Sequence, residues 1–307
     1  MTSLKAAVCV PTLNAGPKWI DWLAKFKSAS APLSEMLVID SSSEDDTVRL
    51  AGECGFQIQV IPRREFSHGG TRQLAVERLA GADVVVFMTQ DAIIASPDAI
   101  ENLLKPFEDD SVGLVFGRQL PHSDAGPIGA HARLFNYPDK SVIRELGMEK
   151  ELGLKAAFVS NSFAAYRRKA LLDVGGFPRG VIFGEDMIVA ARMLLSGWKI
   201  AYQAGACVYH SHDYSLMQEF RRYFDIGVLH NRESWLLERF GKPEREGLRF
   251  VKSELGYLLR HNRALIPGAI LRTGMKYLGY RLGRSEGRLP GSVKPTLSMQ
   301  PSYWTNQ

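Results

Sequence analysis

Short runs of apolar residues alternate with stretches of helical periodicity through the first half of the chain. Four runs rich in β-branched residues predict buried strands, at Ala6–Pro11, Met36–Asp40, Gln57–Ile61 and Val84–Met88. Between them, apolar residues recur at helical spacing in Trp19–Phe26, Thr47–Cys54 and Gly70–Leu79. Short buried strands separated by helices are typical of a mostly parallel sheet covered on both faces. The pattern therefore predicts an α/β fold with helices flanking such a sheet.

The second half of the chain is less regular until its last third. Three segments predict further strands, namely Val112–Gly117, Ala157–Tyr166 and Lys199–Tyr209. Residues 121–156 predict a long excursion of loops and short helices, and residues 185–196 predict a helix. From residue 217 nearly to residue 288 the pattern is helical. We place a domain boundary near residue 215, so that residues 1–215 form the α/β domain and residues 216–307 a helical extension.

The composition excludes several classes of protein. With 307 residues, 45% hydrophobic and 23% charged, the chain can bury a large core and is not disordered. Its three cysteines, Cys9, Cys54 and Cys207, are far apart and form no CxxC motif, which predicts reduced thiols in the cytoplasm. The short apolar run before Pro11 does not predict a secretory signal, and no apolar stretch is long enough for a spanning helix.

Basic residues are concentrated in the last third of the chain. Residues 1–215 hold 22 basic and 25 acidic residues, whereas residues 216–307 hold 16 basic and 8 acidic residues. From Arg249 onward, leucine, isoleucine and tyrosine alternate with arginine and lysine. This pattern suits peripheral contact with an anionic bilayer, but it also fits the solvated face of a helical cap. No nucleic-acid-binding signature accompanies the basic residues, so we expect no nucleic-acid partner.

Polar residues follow the predicted strands directly, at Thr12, Asn14, Asp40 and Gln90-Asp91. Ligands of parallel sheets bind at the carboxyl ends of the strands. Asp91 could hold a divalent cation that bridges two phosphates, or it could cap the next helix. Asp40 could accept a hydrogen bond from a pyrimidine ring, or likewise act as a helix cap.

Three further motifs could carry chemistry. Glu185 and Asp186 open a predicted helix, where they could supply a general base or merely complement the helix dipole. His210 and His212 are two residues apart at a strand end, so both could face one site as a metal ligand and a phosphate or acceptor contact. Phe66–Arg72 contains two adjacent glycines before a helix. It could bind an anion or form a plain strand-to-helix turn.

Together these strings resemble the inverting GT-A glycosyltransferases of family 2, and among them the dTDP-rhamnose-dependent rhamnosyltransferases of polysaccharide and O-antigen assembly. The resemblance covers about residues 5–235 and rests on six strings, namely Val10–Asn14, Val38–Thr47, Phe66–Arg72, Thr89–Ala92, Gly184–Asp186 and Val208–His212. It implies a GT-A catalytic domain over residues 1–215, with the acceptor side in residues 216–307.

The resemblance also implies a role for each matching residue. Pro11, Thr12 and Asn14 line the nucleotide pocket, and Asp40 binds the pyrimidine. Arg72 contacts the nucleotide or diphosphate, with His68 close by, and Gln90 and His212 also bind the substrate. Asp91 and His210 hold Mg²⁺ or Mn²⁺ on the diphosphate. Asp186 is the base that activates the acceptor hydroxyl, and Glu185 supports the acceptor or its geometry.

Two departures from the family pattern modify this expectation. Thr89 stands where the family's Asp-x-Asp motif has its first carboxylate, so the metal depends more on His210 and the diphosphate. The Gln-x-x-Arg-Trp motif of processive members is only echoed at Gln218–Tyr223, without its tryptophan. We therefore expect a non-processive enzyme.

The expected reaction moves L-rhamnose from dTDP-rhamnose to a hydroxyl of a lipid-linked glycan, at the inner face of the cytoplasmic membrane. The alternatives are a related transferase that uses another nucleotide sugar, such as galactofuranose or GlcNAc donors, and a non-catalytic binding module.

Overall fold

A mixed β-sheet forms the centre of the molecule in a computed structural model that describes residues 4–29 and 31–305. Residues 1–3 and 30 of the predicted α/β domain and residues 306–307 of the predicted helical extension lie outside the described residues. Within the described residues the strands are β1 Ala6–Thr12, β2 Leu33–Asp40, β3 Gln57–Val60, β4 Val84–Met88, β5 Ile93–Ile94, β6 Val112–Leu120, β7 Val142–Arg144, β8 Phe163–Arg167 and β9 Lys199–Tyr209.

Helices flank this sheet and make up the last third of the chain. Within the described residues they are α1 Lys18–Lys27, α2 Thr47–Glu53, α3 His68–Arg78, α4 Ala99–Leu104, α5 Pro127–Asn136, α6 Glu149–Leu152, α7 Arg168–Asp173, α8 Glu185–Leu195, α9 Leu216–Arg232, α10 Ser234–Phe240, α11 Glu244–His261, α12 Ile266–Arg284, α13 Lys294–Leu297 and α14 Pro301–Thr305. The helical pattern predicted from residue 217 to residue 288 is thus divided among α9 to α12.

The sheet is parallel on one side and mixed on the other. Its strand order is β3-β2-β1-β4-β8-β6-β9-β5, and β7 pairs with β9 outside this path. The strands β1 to β4 are parallel, whereas β8 runs antiparallel between β4 and β6. The predicted α/β class is confirmed.

One predicted strand is shorter than expected. The segment Ala157–Tyr166 was predicted to rejoin the sheet, but β8 begins only at Phe163. The preceding Ser160 and Asn161 instead form side-chain hydrogen bonds with neighbouring segments. Because β8 is antiparallel, its beginning lies at the same sheet edge as the carboxyl ends of β1, β4, β6 and β9.

The strands are apolar on both faces because each face supports its own layer of helices. Along β1, Ala7 and Cys9 belong to one core cluster, whereas Val8 and Val10 belong to the other. This alternation follows from the two-residue period of a strand.

The C-terminal helices share the core of the sheet. Phe224 and Val228 of α9 lie in the same buried cluster as Phe87 of β4. The long helices α9 and α12 can pack closely because Gly227 and Gly283 have no side chains. A Cβ atom at either position would collide with the backbone of the other helix. The boundary at residue 215 stays a prediction. Among the described residues, no helix combines the length and apolar character that a membrane span requires.

The segment after α12 returns to the body of the molecule. The Asp225 carboxylate in α9 accepts hydrogen bonds from the Ser298 hydroxyl at 2.6 Å and from the Met299 backbone N–H at 2.9 Å. The Gln300 side-chain nitrogen lies 3.3 Å from Nε2 of His68 at the start of α3. The described part of this segment is therefore packed against α9 and α3.

Candidate active site

One carboxylate and two imidazoles converge at the carboxyl end of the sheet. Oδ2 of Asp91 lies 3.4 Å from Nε2 of His210 and 3.5 Å from Nε2 of His212. The two Nε2 atoms are 3.1 Å apart, and all three ligand atoms lie within 4.8 Å of one another. The sequence analysis predicted that Asp91 and His210 lie close enough to hold one metal ion. The structure adds His212, expected only as a substrate contact, as a third group that could hold a metal.

Gln119 orients this cluster, and the sequence analysis missed it. Its side-chain nitrogen donates to the Ser160 hydroxyl at 2.8 Å, which turns its Oε1 toward Nδ1 of His210 at 2.9 Å. With its proton on Nδ1, a neutral His210 ring leaves the Nε2 lone pair free for a cation, whereas a protonated ring also donates from Nε2 to Asp91. Hydrogen bonds of this kind fix the tautomer of metal-binding histidines. The signal in the sequence that could have identified Gln119 was a glutamine at the end of the apolar run that forms β6.

The electrostatics of the cluster favour an ionised carboxylate. Burial by itself would raise the pKa of Asp91, but hydrogen bonding to His210 and Thr89 holds that pKa well below its ordinary value. The Asp91 side chain is still 45% exposed, so a ligand can approach it. An ionised oxygen beside two imidazole nitrogens is a donor set that suits a divalent cation.

A buried ion pair lies beside Asp186, the other carboxylate of the candidate site. Nη1 of Arg72 and Oε1 of Glu185 are 2.7 Å apart, and their side chains are only 6% and 5% exposed. Oε1 of Glu185 also accepts from the Asn161 side chain at 3.0 Å, and the Tyr166 hydroxyl donates to Asn161 at 2.6 Å. Arg72 was expected to contact the nucleotide or diphosphate. In the structure its guanidinium faces Glu185, so the predicted contact stays a prediction.

Asp186 has a different environment from its neighbour Glu185. Gly184, at φ +79, turns the chain into α8 and places Asp186 at the partly exposed first turn. Its Oδ2 accepts from the Asn161 backbone N–H at 3.3 Å. Burial and the adjacent Glu185 carboxylate raise the pKa of Asp186 to about 7. This value suits a group that takes up a proton near neutral pH.

The segment Ser160–Ser162 joins the two ends of the site. The Ser160 hydroxyl is bonded to Gln119 beside the histidines, and the Asn161 backbone is bonded to Asp186. The carbonyl oxygen of Ser162 accepts from the backbone N–H of Thr89, two residues before Asp91, at 3.3 Å. Asp91, His210 and Asp186 are therefore linked through this one segment, at the edge of the sheet where the parallel strands end.

The predicted nucleotide residues form a connected wall. Both oxygens of the fully buried Asp40 are engaged, by the Thr12 hydroxyl at 2.8 Å and by the Ser43 backbone and hydroxyl at 2.7 and 2.6 Å. The Gln90 amide exchanges two hydrogen bonds with the Leu13 backbone. Asp40 and Gln90 thus shape the loops after β2 and β4. Their predicted substrate contacts, like those of Pro11 beside Thr12, stay predictions.

Local backbone strain marks the same wall. Asn14, at φ +43, and Ser42, at φ +62, are the non-glycine residues of positive φ within the described ranges. Such conformations cost energy and concentrate at ligand-binding sites. The Asn14 backbone N–H donates to the Ser43 hydroxyl at 2.7 Å, and the Asn14 side chain accepts from the backbone of Glu44 at 2.8 Å.

The glycines of Phe66–Arg72 serve the fold. A side chain at Gly69 would collide with the backbone of Pro178, so this glycine allows close packing rather than the expected approach of a ligand. Ser67 caps α3 by accepting from the Gly70 backbone N–H at 3.1 Å. His68 contacts Gln300, and its predicted substrate contact stays a prediction.

Known proteins resemble this chain in both sequence and fold. Residues 5–224 match the family described as "Glycosyltransferase like family 2". The O-antigen chain rhamnosyltransferase RfbN of Salmonella typhimurium is 46% identical over 304 residues, 99% of this chain and 97% of its own. The O-antigen chain rhamnosyltransferase WbaN of Salmonella anatum is 48% identical over 298 residues, 97% of this chain and 95% of its own.

Solved structures resemble the fold at much lower identity. The mannosyltransferase PcManGT from Pyrobaculum calidifontis, in complex with GDP-Man and Mn²⁺, superposes with a TM-score of 0.59 at 20% identity, covering 97% of this chain and 86% of its own. Residues 1–349 of S. aureus TarS, in complex with UDP-GlcNAc, give a TM-score of 0.55 at 15% identity, covering 99% and 89%.

Proposed function

Because the chain belongs to family 2 of the glycosyltransferases, we propose that it moves L-rhamnose from dTDP-rhamnose to a hydroxyl of a glycan acceptor with inversion at the anomeric carbon. The chain is a glycosyltransferase with the GT-A fold. Two relatives named as O-antigen chain rhamnosyltransferases match nearly its full length at 46% and 48% identity, which supports rhamnose as the sugar.

The observation that carries the proposed mechanism is the contrast between two carboxylates that one segment links at the same edge of the sheet, which we take to be one substrate cleft. Asp91 is held ionised beside two histidines, whereas burial and Glu185 raise the pKa of Asp186 to about 7. We assign Asp186 as the base that removes the proton of the acceptor hydroxyl. The oxygen then attacks the anomeric carbon from the face opposite the diphosphate. One such displacement inverts the configuration without a covalent sugar–enzyme intermediate.

We further propose that Asp91, His210 and His212 hold Mn²⁺ or Mg²⁺. The convergence of two imidazole nitrogens on one carboxylate fits a cation, and nitrogen donors favour Mn²⁺ over the oxygen-preferring Mg²⁺. When bound, such an ion neutralises the charge of the leaving diphosphate. We expect Asp91→Ala to abolish metal-dependent binding of dTDP, measured by calorimetry. Full activity in excess EDTA would refute the metal assignment.

The acceptor side of the proposal is a lipid-linked glycan at the cytoplasmic face of the membrane. Residues 255–285 contain no acidic residue. Leu259, Ile270, Leu271, Tyr277 and Leu278 are exposed there beside arginines. Apolar and basic residues on one helical surface suit an anionic bilayer. We expect Ile270→Glu combined with Leu271→Glu to reduce co-sedimentation with anionic vesicles. Ile20→Glu, at an exposed apolar residue of α1, is the matched control.

A panel of nucleotide sugars tests the donor. We expect dTDP-rhamnose to raise the melting temperature most and to release dTDP slowly in the presence of wild-type protein but not of Asp186→Asn. A larger shift with a UDP-sugar would favour a galactofuranose or GlcNAc donor. Binding without turnover of any donor, even with glycolipid acceptors supplied, would favour the non-catalytic module.

A further inference from the structure

Arg133 approaches the metal-binding cluster from α5, in the excursion to which the sequence assigned no chemistry. Its Nη1 donates to Oε1 of Gln119 at 3.0 Å, and that same oxygen faces Nδ1 of His210. Its Nε is buried without a hydrogen-bond partner within the described residues. Arg133 forms no ion pair with any described carboxylate. The guanidinium is therefore positioned beside the histidines with part of its donor capacity unused.

Arg222 approaches the same cluster from α9. Its guanidinium lies over the rings of Tyr214 and Phe183, at 5.6 and 5.7 Å from their centroids. Tyr214 in turn stacks on His212, with ring centroids 5.3 Å apart, and Phe183 lies just before the Glu185-Asp186 pair. Arg222 is exposed, and it too forms no ion pair with a carboxylate among the described residues.

The charge of the Asp91–His210–His212 cluster indicates that a bound diphosphate requires additional positive groups. The cluster contains one carboxylate, so a divalent cation bound there retains about one positive charge. The diphosphate of a nucleotide sugar carries more negative charge than that, and it gains a further negative charge when its bond to the sugar breaks. Guanidinium groups bind phosphate oxygens through a planar fork of donors. Fixed positive groups beside a leaving anion stabilise the transition state.

We propose that Arg133 and Arg222 form a phosphate-binding pair beside the Asp91–His210–His212 cluster, an inference that rests on the proposed function. The phosphate belongs either to the diphosphate of the donor or to a phosphate group on the acceptor. Both sources present the same chemistry to the pair, and two binding measurements distinguish them.

The first measurement is the affinity for dTDP, by calorimetry in excess Mg²⁺. The second is the affinity for inorganic pyrophosphate after the protein has been saturated with dTDP. The variants are Arg133→Gln and Arg222→Gln, together with Arg133→Lys and Arg222→Lys in case a glutamine variant fails to fold. Arg221→Gln is the matched control, because Arg221 lies on the same helix but donates to the Thr296 carbonyl at 3.0 Å.

If the pair binds the donor, dTDP affinity falls about tenfold to a hundredfold in each glutamine variant and stays unchanged in the control. If it binds an acceptor phosphate, dTDP affinity is unchanged, while pyrophosphate binds the dTDP-saturated wild-type protein and not the variants. Affinities equal to those of the control in both measurements would overturn the proposal.

Neither measurement requires sugar transfer. Failure of the rhamnose assignment would appear separately, as wild-type protein that prefers another nucleoside diphosphate. The same comparison would then be made with that nucleotide.

Discussion

The two ends of the cleft each contain a carboxylate, but their surroundings drive the two groups in opposite directions. Asp91 faces two histidines, and its pKa is lowered. Asp186 is next to Glu185, and its pKa is raised to about 7. Identical side chains thus acquire opposite tendencies from their neighbours, which suits one to the proposed metal site and the other to the proposed base.

The buried ion pair explains how Asp186 keeps its affinity for a proton. Arg72 is close enough to lower the pKa of both carboxylates, yet its guanidinium contacts Glu185 rather than Asp186. Glu185 is thereby held ionised, and its charge raises the pKa of Asp186. The contrast between the two ends therefore depends on residues that do not themselves face the cleft.

The largest expected effect is the loss of the base. Asp186→Asn should lower the rate of rhamnosyl transfer by about 10²–10⁴-fold, because the side chain no longer accepts a proton. The affinity for dTDP, which depends on the other end of the cleft, should be unchanged. Turnover and calorimetric binding measured side by side test this separation. A large loss of dTDP affinity would instead place Asp186 on the donor side.

The next effect is on the buried ion pair. Glu185→Gln leaves Arg72 buried without a carboxylate, which should destabilise the protein by about 3–5 kcal/mol in urea unfolding. The matched control is Glu77→Gln, which removes an exposed ion pair with Arg179 at 2.8 Å and should cost less than about 1 kcal/mol. Equal costs for the two variants would contradict the structural role of Glu185.

A smaller effect is expected at the proposed metal site. Gln119→Leu removes the group that orients His210, so the affinity for Mn²⁺ should fall about 10–100-fold. The partly buried Gln59, which accepts from Arg78 at 2.9 Å far from this site in sequence, provides the control variant Gln59→Leu. An unchanged Mn²⁺ affinity in Gln119→Leu would show that His210 needs no orienting partner.

The smallest effect is the dependence of the rate on pH. Since Asp186 must be ionised to act as a base and its pKa is raised to about 7, the rate should fall roughly tenfold from about pH 8 to about pH 6. The contribution of Asp186 to the free energy of unfolding changes with pH in the opposite direction from the rate. The folded state favours the protonated form, so this contribution is lost as the pH rises from the ordinary value of 3.8 to about 7. The melting temperature of Asp186→Asn should exceed that of the wild type by more at pH 8 than at pH 5.

The sequence predicted the elements that follow from periodicity better than the contacts between distant segments. Strands such as Val84–Met88 and the positions of Asp91 and His210 at strand ends follow from apolar runs and parallel topology. The Arg72–Glu185 pair joins residues 113 positions apart, and nothing in either local sequence specifies the partner. Gln119 and Arg133 were missed for the same reason, because their importance arises only where β6, α5 and β9 meet.

The contact between Gln300 and His68 has a consequence for the synthesis of the chain. The two residues are 232 positions apart, so at ordinary rates of translation His68 leaves the ribosome on the order of ten seconds or more before Gln300. During that interval helix α3, which carries His68 and Arg72, lacks this contact, however completely the sheet behind it has formed. The contact beside His68 thus forms only when the segment around Gln300 emerges.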